Sequence, residues 1–287
     1  MGTLSMTGGQ EMNGKKINVG KGVIYILLLI GTVVMIFPFI WSVFTSFKTL
    51  PESLQVPPEI LPQNWDFINY ADVWDALPFV DFFINTAVMI VARIIIAVLL
   101  SAMAAYAFAR IDFPLKNLLF IIVLLPMMVP TQIFILPQYL IISNLGWANT
   151  IKALVIPGMA STFGIFLLRQ FFMGIPNELE EAAVLDGCNT GQIFFRIMLP
   201  LSKSGLVSVA IFTALFAYKD LLWPLIVNTS VEKMPLSAGL AMLQGQYTTN
   251  YPQLMAGAVI AIIPMAILFL IFQKQFVEGI ATTGSKN

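Results

Sequence analysis

Three charged side chains lie within apolar stretches that are long enough to cross a membrane, where they could act on an ion or a polar solute. Arg93 lies midway along one stretch, and Lys219 and Asp220 are neighbours in another. A charge at the centre of a bilayer costs about 2.5–3.5 kcal/mol, so such side chains usually face a protein interior or a water-filled path.

Two interpretations of these charges follow from the residues. In the first, Asp220 pairs with Arg93 or with Lys219 for a structural purpose. In the second, the three charges line a translocation path together with Asn85, a weaker polar candidate near the start of the Arg93 stretch. Because adjacent residues on a helix do not face each other, we expect Lys219 and Asp220 to have different partners.

The sequence lacks the residues on which many catalytic and metal sites depend. It contains no His and a single Cys, Cys188, which excludes an intramolecular disulfide and an all-Cys metal site. The phosphate-binding pattern G-x-x-x-x-G-K-[ST] does not occur in the chain. We therefore expect a protein that is not an enzyme and that binds no cofactor or metal. The net charge of zero gives no indication of a nucleic-acid partner.

The composition predicts an all-α membrane protein. Hydrophobic residues make up 58% of the chain and charged residues only 10%, whereas soluble domains have about 25% charged residues. The apolar stretches lie at residues 23–44, 82–108, 118–142, 153–172, 205–227 and 254–272. Backbone amides in hydrocarbon must be paired internally, so these stretches predict six transmembrane helices. Pro126, Pro130 and Pro137 predict kinks in the third.

The distribution of Lys and Arg predicts the orientation, since these residues are enriched in cytoplasmic loops. One side of the predicted membrane holds Lys15, Lys16, Lys21, Arg110, Lys116, Arg169, Arg196, Lys203, Lys274 and Lys286. The other side holds only Lys48, Lys152 and Lys233. We therefore expect both termini, and the loop between the fourth and fifth spans, to be cytoplasmic.

These features divide the chain into five parts. They are a cytoplasmic tail at 1–22 that resembles an expression-tag remnant, a first transmembrane helix at 23–44, an external loop at 45–81, a transmembrane core at 82–276 and a cytoplasmic tail at 277–287. The external loop is rich in Pro, and we expect it to be irregular.

The polar loop between the fourth and fifth spans predicts two short helices separated by a turn. Asn177 and Glu180 have the spacing of an N-terminal capping box. Gly187 suits the end of the first helix, because glycine readily adopts the left-handed conformation found there. Asn189 and Gln192 can begin the second helix.

The two faces of these short helices suggest different contacts. Ala182 and Ala183 would give the first helix a thin face that enters a groove closely, with an acidic end for a basic partner. The second helix carries an apolar stripe at helical spacing, formed by Phe194, Ile197, Met198 and Leu201. Two interpretations remain open, a docking element for another protein and an interfacial helix that packs only on its own bundle.

The loop resembles the EAA motif of ABC-importer permeases, EAA-x3-G-x9-I-x-LP, at every position. The matching residues are Glu181, Ala182, Ala183, Gly187, Ile197, Leu199 and Pro200. The resemblance implies that the loop is the coupling helix, which docks into a cleft of a cytoplasmic ATPase subunit. Glu181 would then be the charged contact, Gly187 the turn, and Leu199 with Pro200 the return to the membrane.

Other segments are similar to the smaller permease of maltose-type carbohydrate importers. They are AAYAFARIDFPLKNLLF (104–120), GIFLLRQFF (164–172), LLWPLIV (221–227), PLSAGLAMLQGQY (235–247) and QFVEGIATTG (275–284). With the EAA motif, the resemblance covers nearly the whole chain after residue 20. It implies a multi-pass protein of the bacterial cytoplasmic (inner) membrane that takes part in carbohydrate import.

The resemblance also implies the partners. They would be a second permease in a heterodimer, two ATPase subunits that bind ATP and Mg²⁺, an extracytoplasmic solute-binding protein and a sugar. A loop before the last span would contact the binding protein, through Gly239, Gln244, Gly245, Gln246 and Tyr247. Residues 275–284 would be a second contact with the ATPase.

The chain departs from the class at two of the charges described above. In related permeases Asn is common at the position of Lys219, and a small or apolar residue at that of Arg93. Two added cations suggest an anionic substrate such as an oligouronate, because a fixed positive charge lowers the cost of a carboxylate in a low dielectric. The alternative function is a stand-alone secondary transporter or channel. Such a protein would need a chain of carboxylates in its spans to couple to an ion, but a single carboxylate, Asp220, is clearly intramembrane in this sequence.

Overall fold

The computed structural model describes residues 19–245 and 249–284, and within these ranges all regular elements are helical. The first α-helices are α1 (Val19–Thr45), α2 (Leu50–Ser53), α3 (Ile68–Ala76), α4 (Phe79–Arg110), α5 (Lys116–Leu124), α6 (Ile135–Asn144), α7 (Ile151–Val155) and α8 (Thr162–Met173). The others are α9 (Glu178–Leu185), α10 (Thr190–Ile193), α11 (Leu199–Leu201), α12 (Lys203–Tyr218), α13 (Leu222–Val227), α14 (Leu236–Ala241) and α15 (Tyr251–Gly284).

Short helices of other types connect some of these elements. Those of the 3-10 type lie at Leu125–Met128, Thr131–Phe134, Ile156–Gly158 and Val231–Lys233, and a π-helix lies at Phe194–Met198.

Three helical segments of the described chain are long and apolar enough to span a membrane: Gly22–Thr45, Phe79–Arg110 and Tyr251–Gln275. Three further pairs of helical segments pass the same criteria together but are bent at a short break, so the number rises to six if each pair is one span. This range agrees with an all-α membrane protein and includes the predicted six spans.

The prolines of the third predicted span bend it strongly. Lys116–Met128 and Thr131–Asn144 meet at 99°. Pro126 lies in the 3-10 helix that ends the first segment, and Pro130 directly precedes the second. Pro137 lies in the first turn of α6 and is accommodated there. The predicted kinks are therefore confirmed at Pro126 and Pro130.

The prediction of one continuous helix over 205–227 is wrong. Helix α12 ends at Tyr218 and α13 begins at Leu222. The break follows from Pro224, which has no N–H for the carbonyl of Asp220 four residues earlier and would clash with it in a helix. The hydroxyl of Ser237 donates to that carbonyl instead, at 2.5 Å. Lys219 and Asp220 therefore lie at a break between helices.

Two predicted loop regions contain more helix than expected. The external loop at 45–81 includes α2 and α3, although residues 56–65 between them are irregular, as predicted. The predicted tail at 277–287 continues α15 as far as Gly284.

Helix α4 lies at the centre of the bundle and packs against α7, α8, α12 and α14. It contributes to each of three buried apolar clusters, with Phe79 and Phe82 at one end, Met89 and Ile90 in the middle, and Ala102, Ala105 and Tyr106 at the other end. Helix α1 packs mainly against α15 and exposes most of its apolar surface. The long helix α4 therefore organises the interior, and α1 lies at the edge.

Gly239 belongs to this packing, which corrects its predicted place in a loop that contacts a binding protein. It lies in α14, is buried, and faces the ring of Phe82 so closely that an added Cβ would clash with it. Phe82 is itself fully buried and has little room to move. A glycine is required here by the close approach of α14 to α4.

We expect Gly239→Ala to lower the free energy of unfolding by about 1–3 kcal/mol, because overpacking displaces the Phe82 ring. The measurement is thermal unfolding of the detergent-purified chain. Gly31→Ala in α1 is the matched control, since an added Cβ meets nothing within 4 Å there. If both variants unfold at the wild-type temperature, the close contact between α14 and α4 is absent in solution.

Candidate functional site

The first helix of the polar loop, α9, begins differently from the prediction. Asn177 has helical backbone angles (φ −68°, ψ −29°), and its side chain makes no capping hydrogen bond. Its Oδ1 instead accepts from Nη1 of Arg110, at the end of α4. Glu180 also faces that guanidinium, with Oε1 3.6 Å from Nε. The predicted capping box of Asn177 and Glu180 is therefore wrong, because Arg110 from another helix hydrogen-bonds to the Asn177 side chain and forms an ion pair with Glu180.

The turn after α9 has the predicted form. Gly187 has φ +80°, a conformation that glycine adopts without strain. The N–H of Cys188 donates to Ala183 O at 2.9 Å, and that of Gly187 donates to Val184 O at 3.0 Å. These two bonds define a Schellman motif, which satisfies the last carbonyls of α9 and reverses the chain.

The start of the second helix is also as predicted, although its apolar stripe is shifted. Asn189 and Gln192 form a complete capping box, with hydrogen bonds of 2.8 and 2.9 Å. Phe194 and Met198 are buried, but Leu201 is 53% exposed. The reason is the π-helix at Phe194–Met198, whose wider turn moves the following residues off the buried face.

Ala182 and Ala183 do not form a common face, contrary to the prediction. Ala183 is buried in the α9-side cluster, which also contains Tyr106, Phe172, Phe194 and Met198, whereas Ala182 is exposed. Adjacent helical residues are about 100° apart around the axis, since an α-helix has 3.6 residues per turn. One alanine therefore packs on the chain's own bundle and the other faces away from it.

An exposed face remains on the other side of α9. Glu178, Glu181, Ala182 and Leu185 are all exposed and have the i, i+3, i+4, i+7 spacing of a single helix face. We call these four residues the α9 face. Leu185 is 89% exposed, which is unusual for a leucine beside a buried cluster. The face therefore combines acidic groups with an accessible apolar side chain.

The remaining motif residues anchor the loop. Ile197 and Leu199 are half-buried against the α9-side cluster, and Pro200 is exposed in α11. The structure thus brings Ala183, Ile197 and Leu199 together and leaves Glu181 and Ala182 accessible.

Among the membrane charges, Arg93 pairs with Asp220. Its Nη2 lies 3.0 Å from Asp220 Oδ2, and Arg93 is only 6% exposed. Nε and Nη2 also donate to Leu154 O, at 2.8 and 2.5 Å. Asp220 thus pairs with Arg93, as the first interpretation predicts, and the guanidinium is occupied by partners from two other spans.

Lys219 has a separate environment, as predicted. Its side chain is exposed, and Nζ lies 4.7 Å from the centroid of the Phe216 ring. Within the described residues no carboxylate lies within 4.0 Å of Nζ. Of the two cations considered for a pathway, Lys219 is therefore the accessible one.

The bend in the fourth predicted span is supported by Trp223 as well as by Arg93. Pro157 has no N–H, so the carbonyl of Ala153 lacks its usual helical donor. Nε1 of Trp223 donates to that carbonyl at 2.8 Å, from α13. Gly158 follows and lies against Arg93, where an added Cβ would be 2.5 Å from Nε. Arg93 and Trp223 together therefore satisfy two carbonyls, Leu154 O and Ala153 O, beside the bend between α7 and α8.

Asn85, the weaker pathway candidate, and the residues predicted to contact a binding protein lie in different surroundings. Nδ2 of Asn85 donates to Glu232 O at 2.7 Å and to Met234 O at 3.1 Å, so Asn85 holds the connection before α14. Gln244 and Gly245 are exposed after α14. Gln246 and Tyr247 lie outside the described residues.

Sequence reasoning missed the roles of Arg110, Pro157 and Trp223. For Pro157 a signal was present, since a proline within an apolar stretch frees the carbonyl of Ala153. The donor to that carbonyl comes from a residue 70 positions away, which no local pattern identifies. Arg110 was counted only as a charge that marks the cytoplasmic side.

Comparisons with known proteins agree with this architecture. A family model described as "Binding-protein-dependent transport system inner membrane component" matches residues 97–281. The diacetylchitobiose uptake permease NgcG of Streptomyces coelicolor is 32% identical over 259 residues, which cover 89% of this chain and 85% of the relative. The arabinooligosaccharide transport permease AraQ of Halalkalibacterium halodurans is 33% identical over 256 residues, which cover 88% of this chain and 92% of the relative.

A solved structure has the same fold. It is a bacterial ABC transporter involved in the import of the acidic polysaccharide alginate, with a TM-score of 0.77 and 23% identity. The match covers 89% of this chain and 96% of that chain.

The hydrogen bond from Trp223 to the carbonyl of Ala153 predicts that substitutions of Trp223 and Pro157 have coupled effects on stability. Trp223→Phe leaves the carbonyl of Ala153 without a donor, and we expect it to lower the free energy of unfolding by about 1–3 kcal/mol. Pro157→Ala supplies an N–H at the helical position. We expect the cost of Trp223→Phe to be at least about 0.5 kcal/mol smaller in that background.

Thermal unfolding of the four chains in detergent measures this double-mutant cycle. Trp74→Phe is the control, because the described contact of Trp74 is ring stacking on Phe79. Equal costs of Trp223→Phe in both backgrounds would show that the indole bond does not compensate for the proline.

Proposed function

Because the chain belongs to the family of binding-protein-dependent transport system inner membrane components, we propose that it is the permease subunit of an ATP-driven importer for an oligosaccharide or another sugar. It is a multi-pass protein of the inner membrane. The relatives' names support the carbohydrate substrate, since one takes up diacetylchitobiose and another transports arabinooligosaccharides. The free energy comes from a partner, because the chain has no phosphate-binding loop.

The observation that carries this proposal is the α9 face. A leucine that is 89% exposed, next to acidic side chains, has the composition of a docking surface for another protein. The opposite side of α9 is fixed by Ala183 in the α9-side cluster. A partner that moves the α9 face therefore moves the bundle as well.

The partner at this face is an ATPase subunit on the cytoplasmic side. Arg110 contacts α9, Arg196 and Lys203 follow it in the same loop, and the excess of cations on this side of the predicted membrane supports a cytoplasmic position. Both termini are then cytoplasmic too. The assembly contains a second permease and two ATPases that bind ATP and Mg²⁺, while this chain binds neither.

On the external side, an extracytoplasmic binding protein delivers the sugar. The exposed residues Gln244 and Gly245 support a contact there, in a segment that continues through Gln246 and Tyr247. Closure of the ATPases displaces α9, and the bundle changes from inward-facing to outward-facing.

A stand-alone secondary transporter or channel is not favoured. It would need an intramembrane carboxylate that is free to bind an ion or a proton. Asp220 is engaged by Arg93 at 3.0 Å, so it does not offer such a group.

We expect Glu181→Lys and Leu185→Glu each to abolish copurification of an ATPase with this chain. The first reverses the exposed charge at the acidic end of α9, and the second places a carboxylate where an apolar contact forms. The measurement is affinity purification from native membranes in mild detergent, followed by mass spectrometry. Both side chains are exposed, so neither change disturbs the fold.

Asp112→Lys is the control, since Asp112 is an exposed acidic residue in the neighbouring loop between α4 and α5. If an ATPase still copurifies with both α9 variants, the α9 face is not the docking surface. If the wild-type chain purifies without an ATPase or a second permease, the proposal that it is an importer subunit is wrong.

We propose further that the transported sugar is anionic. Support comes from Lys219, whose charge is exposed at the break between α12 and α13, while that of Arg93 is used by Asp220. A fixed cation at such a position lowers the cost of moving a carboxylate through a low dielectric. The structure that shares this fold belongs to an importer of an acidic polysaccharide, but that likeness concerns the fold alone.

We expect Lys219→Gln to reduce uptake of a uronate oligosaccharide about tenfold, as the loss of about 1.4 kcal/mol would, and to leave uptake of a neutral oligosaccharide unchanged. Proteoliposomes that contain the complete importer and its binding protein allow both to be measured. Lys152→Gln in α7 is the control, because it removes another exposed charge from a different position. Equal effects on the two sugars would exclude charge selection by Lys219.

A further inference from the structure

One guanidinium joins three helices at the α9 end of the bundle. Arg110 is the last residue of α4, and its side chain is 9% exposed. Nη2 donates to the carbonyls of Phe172 in α8 and of Ile175 in the connection that follows. Nη1 donates to Asn177 Oδ1, and Nε lies 3.6 Å from the Glu180 carboxylate in α9. The two terminal nitrogen atoms therefore hydrogen-bond to the end of α8 and to the connection before α9, while Nε forms only an ion pair with Glu180 in α9.

This arrangement sets the direction of α9 relative to α4. The planar guanidinium presents its donors in a rigid fork, so its partners cannot turn independently of it. The carbonyl of Phe172 belongs to the last turn of α8, and Asn177 directly precedes α9. The connection at 174–177 is thus held from outside by α4, which is distant in sequence.

Three helices that pack against one another in the bundle, α4, α8 and α12, differ in continuity. Helix α4 runs unbroken from Phe79 to Arg110 and contains neither Gly nor Pro, the residues at which sharp kinks usually occur. The span that contains α8 bends by 42° after Gly158, and α12 meets the preceding helical segment at 77°. Of these three, α4 alone is suited to carry a displacement along its length.

The middle of α4 lies at the membrane charges. Arg93 lies 17 residues before Arg110 on the same helix, a distance of about 26 Å at 1.5 Å per residue. Its guanidinium contacts Asp220 at the break after α12 and Leu154 before the bend into α8. One rigid helix therefore connects α9 with the two discontinuous spans.

We propose that Arg110 is the positioning residue that transfers movement of α9 to α4, and that α4 carries this movement as a rigid rod to the contacts of Arg93 with Asp220 and Leu154. The proposal rests on the proposed function, since it assumes that a partner displaces α9. It adds the second span to the path of coupling and assigns the transfer to a single side chain outside the EAA motif.

The experiment uses two readouts on Arg110→Ala. The first is the rate at which Cys188, the single cysteine, is alkylated by a maleimide in native membranes. Cys188 is partly buried against the α9-side cluster just after α9, so its reactivity reports how firmly α9 is held. The second is the number of sugar molecules imported per ATP hydrolysed by the complete importer in proteoliposomes.

We expect Arg110→Ala to raise the alkylation rate about tenfold and to lower the import per ATP about tenfold, each factor corresponding to about 1.4 kcal/mol. The rate of ATP hydrolysis is expected to stay within about twofold of wild type, because the α9 face is intact. A purely structural role of Arg110 would reduce the amount of assembled importer without changing the import per ATP.

Arg169→Ala is the matched control. Arg169 also donates to a backbone carbonyl near this end of the bundle, that of Phe108, and stacks on Phe120, but within the described residues it makes no hydrogen bond or ion pair with α9. We expect wild-type values for both readouts. Asn177→Ala is a milder second variant, which removes the acceptor of Nη1 from an exposed position, and we expect the same two changes at smaller size.

Import per ATP at the wild-type level in Arg110→Ala and in Asn177→Ala would overturn the proposal, whatever the alkylation rate. An unchanged alkylation rate in both variants would overturn it as well. Absence of an ATPase from the wild-type preparation would instead be a failure of the proposed function, and the alkylation rate would still show whether Arg110 holds α9.

Discussion

The need to satisfy backbone carbonyls inside a bilayer explains much of this structure. Prolines interrupt three of the predicted spans, and each interruption leaves carbonyls without their helical donors. Arg93, Trp223 and Ser237 supply donors at two of the breaks, to Leu154, Ala153 and Asp220 respectively. The discontinuous spans are thus held in place by side chains from their neighbours.

Helix α4 has the complementary property. It lacks Gly and Pro, packs against the interrupted spans and contributes to all three buried clusters. Its two arginines lie near opposite parts of the bundle, one at the membrane breaks and one at the polar loop. An unbroken helix that packs against bent spans can move as one unit, which is the property that the proposed transfer from α9 to Arg93 requires.

The charges inside the membrane separate into two classes. Arg93 and Asp220 form an ion pair, and Arg93 also donates to a backbone carbonyl, so these two charges are accounted for without a transported solute. Lys219 is exposed and lies over an aromatic ring, and its cost is not offset by a carboxylate among the described residues. Under the proposed function, Lys219 is the charge that we propose to act on the transported molecule, whereas Arg93 and Asp220 hold helices together.

The sequence by itself determined the membrane class, the apolar spans, the kinks at Pro126 and Pro130, the turn at Gly187 and the capping box of Asn189 and Gln192. These features depend on composition or on residues a few positions apart. The break after Tyr218 was also within reach of the sequence, because Pro224 lies four residues after Asp220. Only the tertiary structure decided that Arg110 takes the side chain of Asn177, that Phe82 requires a glycine at position 239, and that Arg93 rather than Lys219 pairs with Asp220. The partners in these contacts are 67, 157 and 127 residues apart, and the packing of the bundle, which no local pattern records, brings them together.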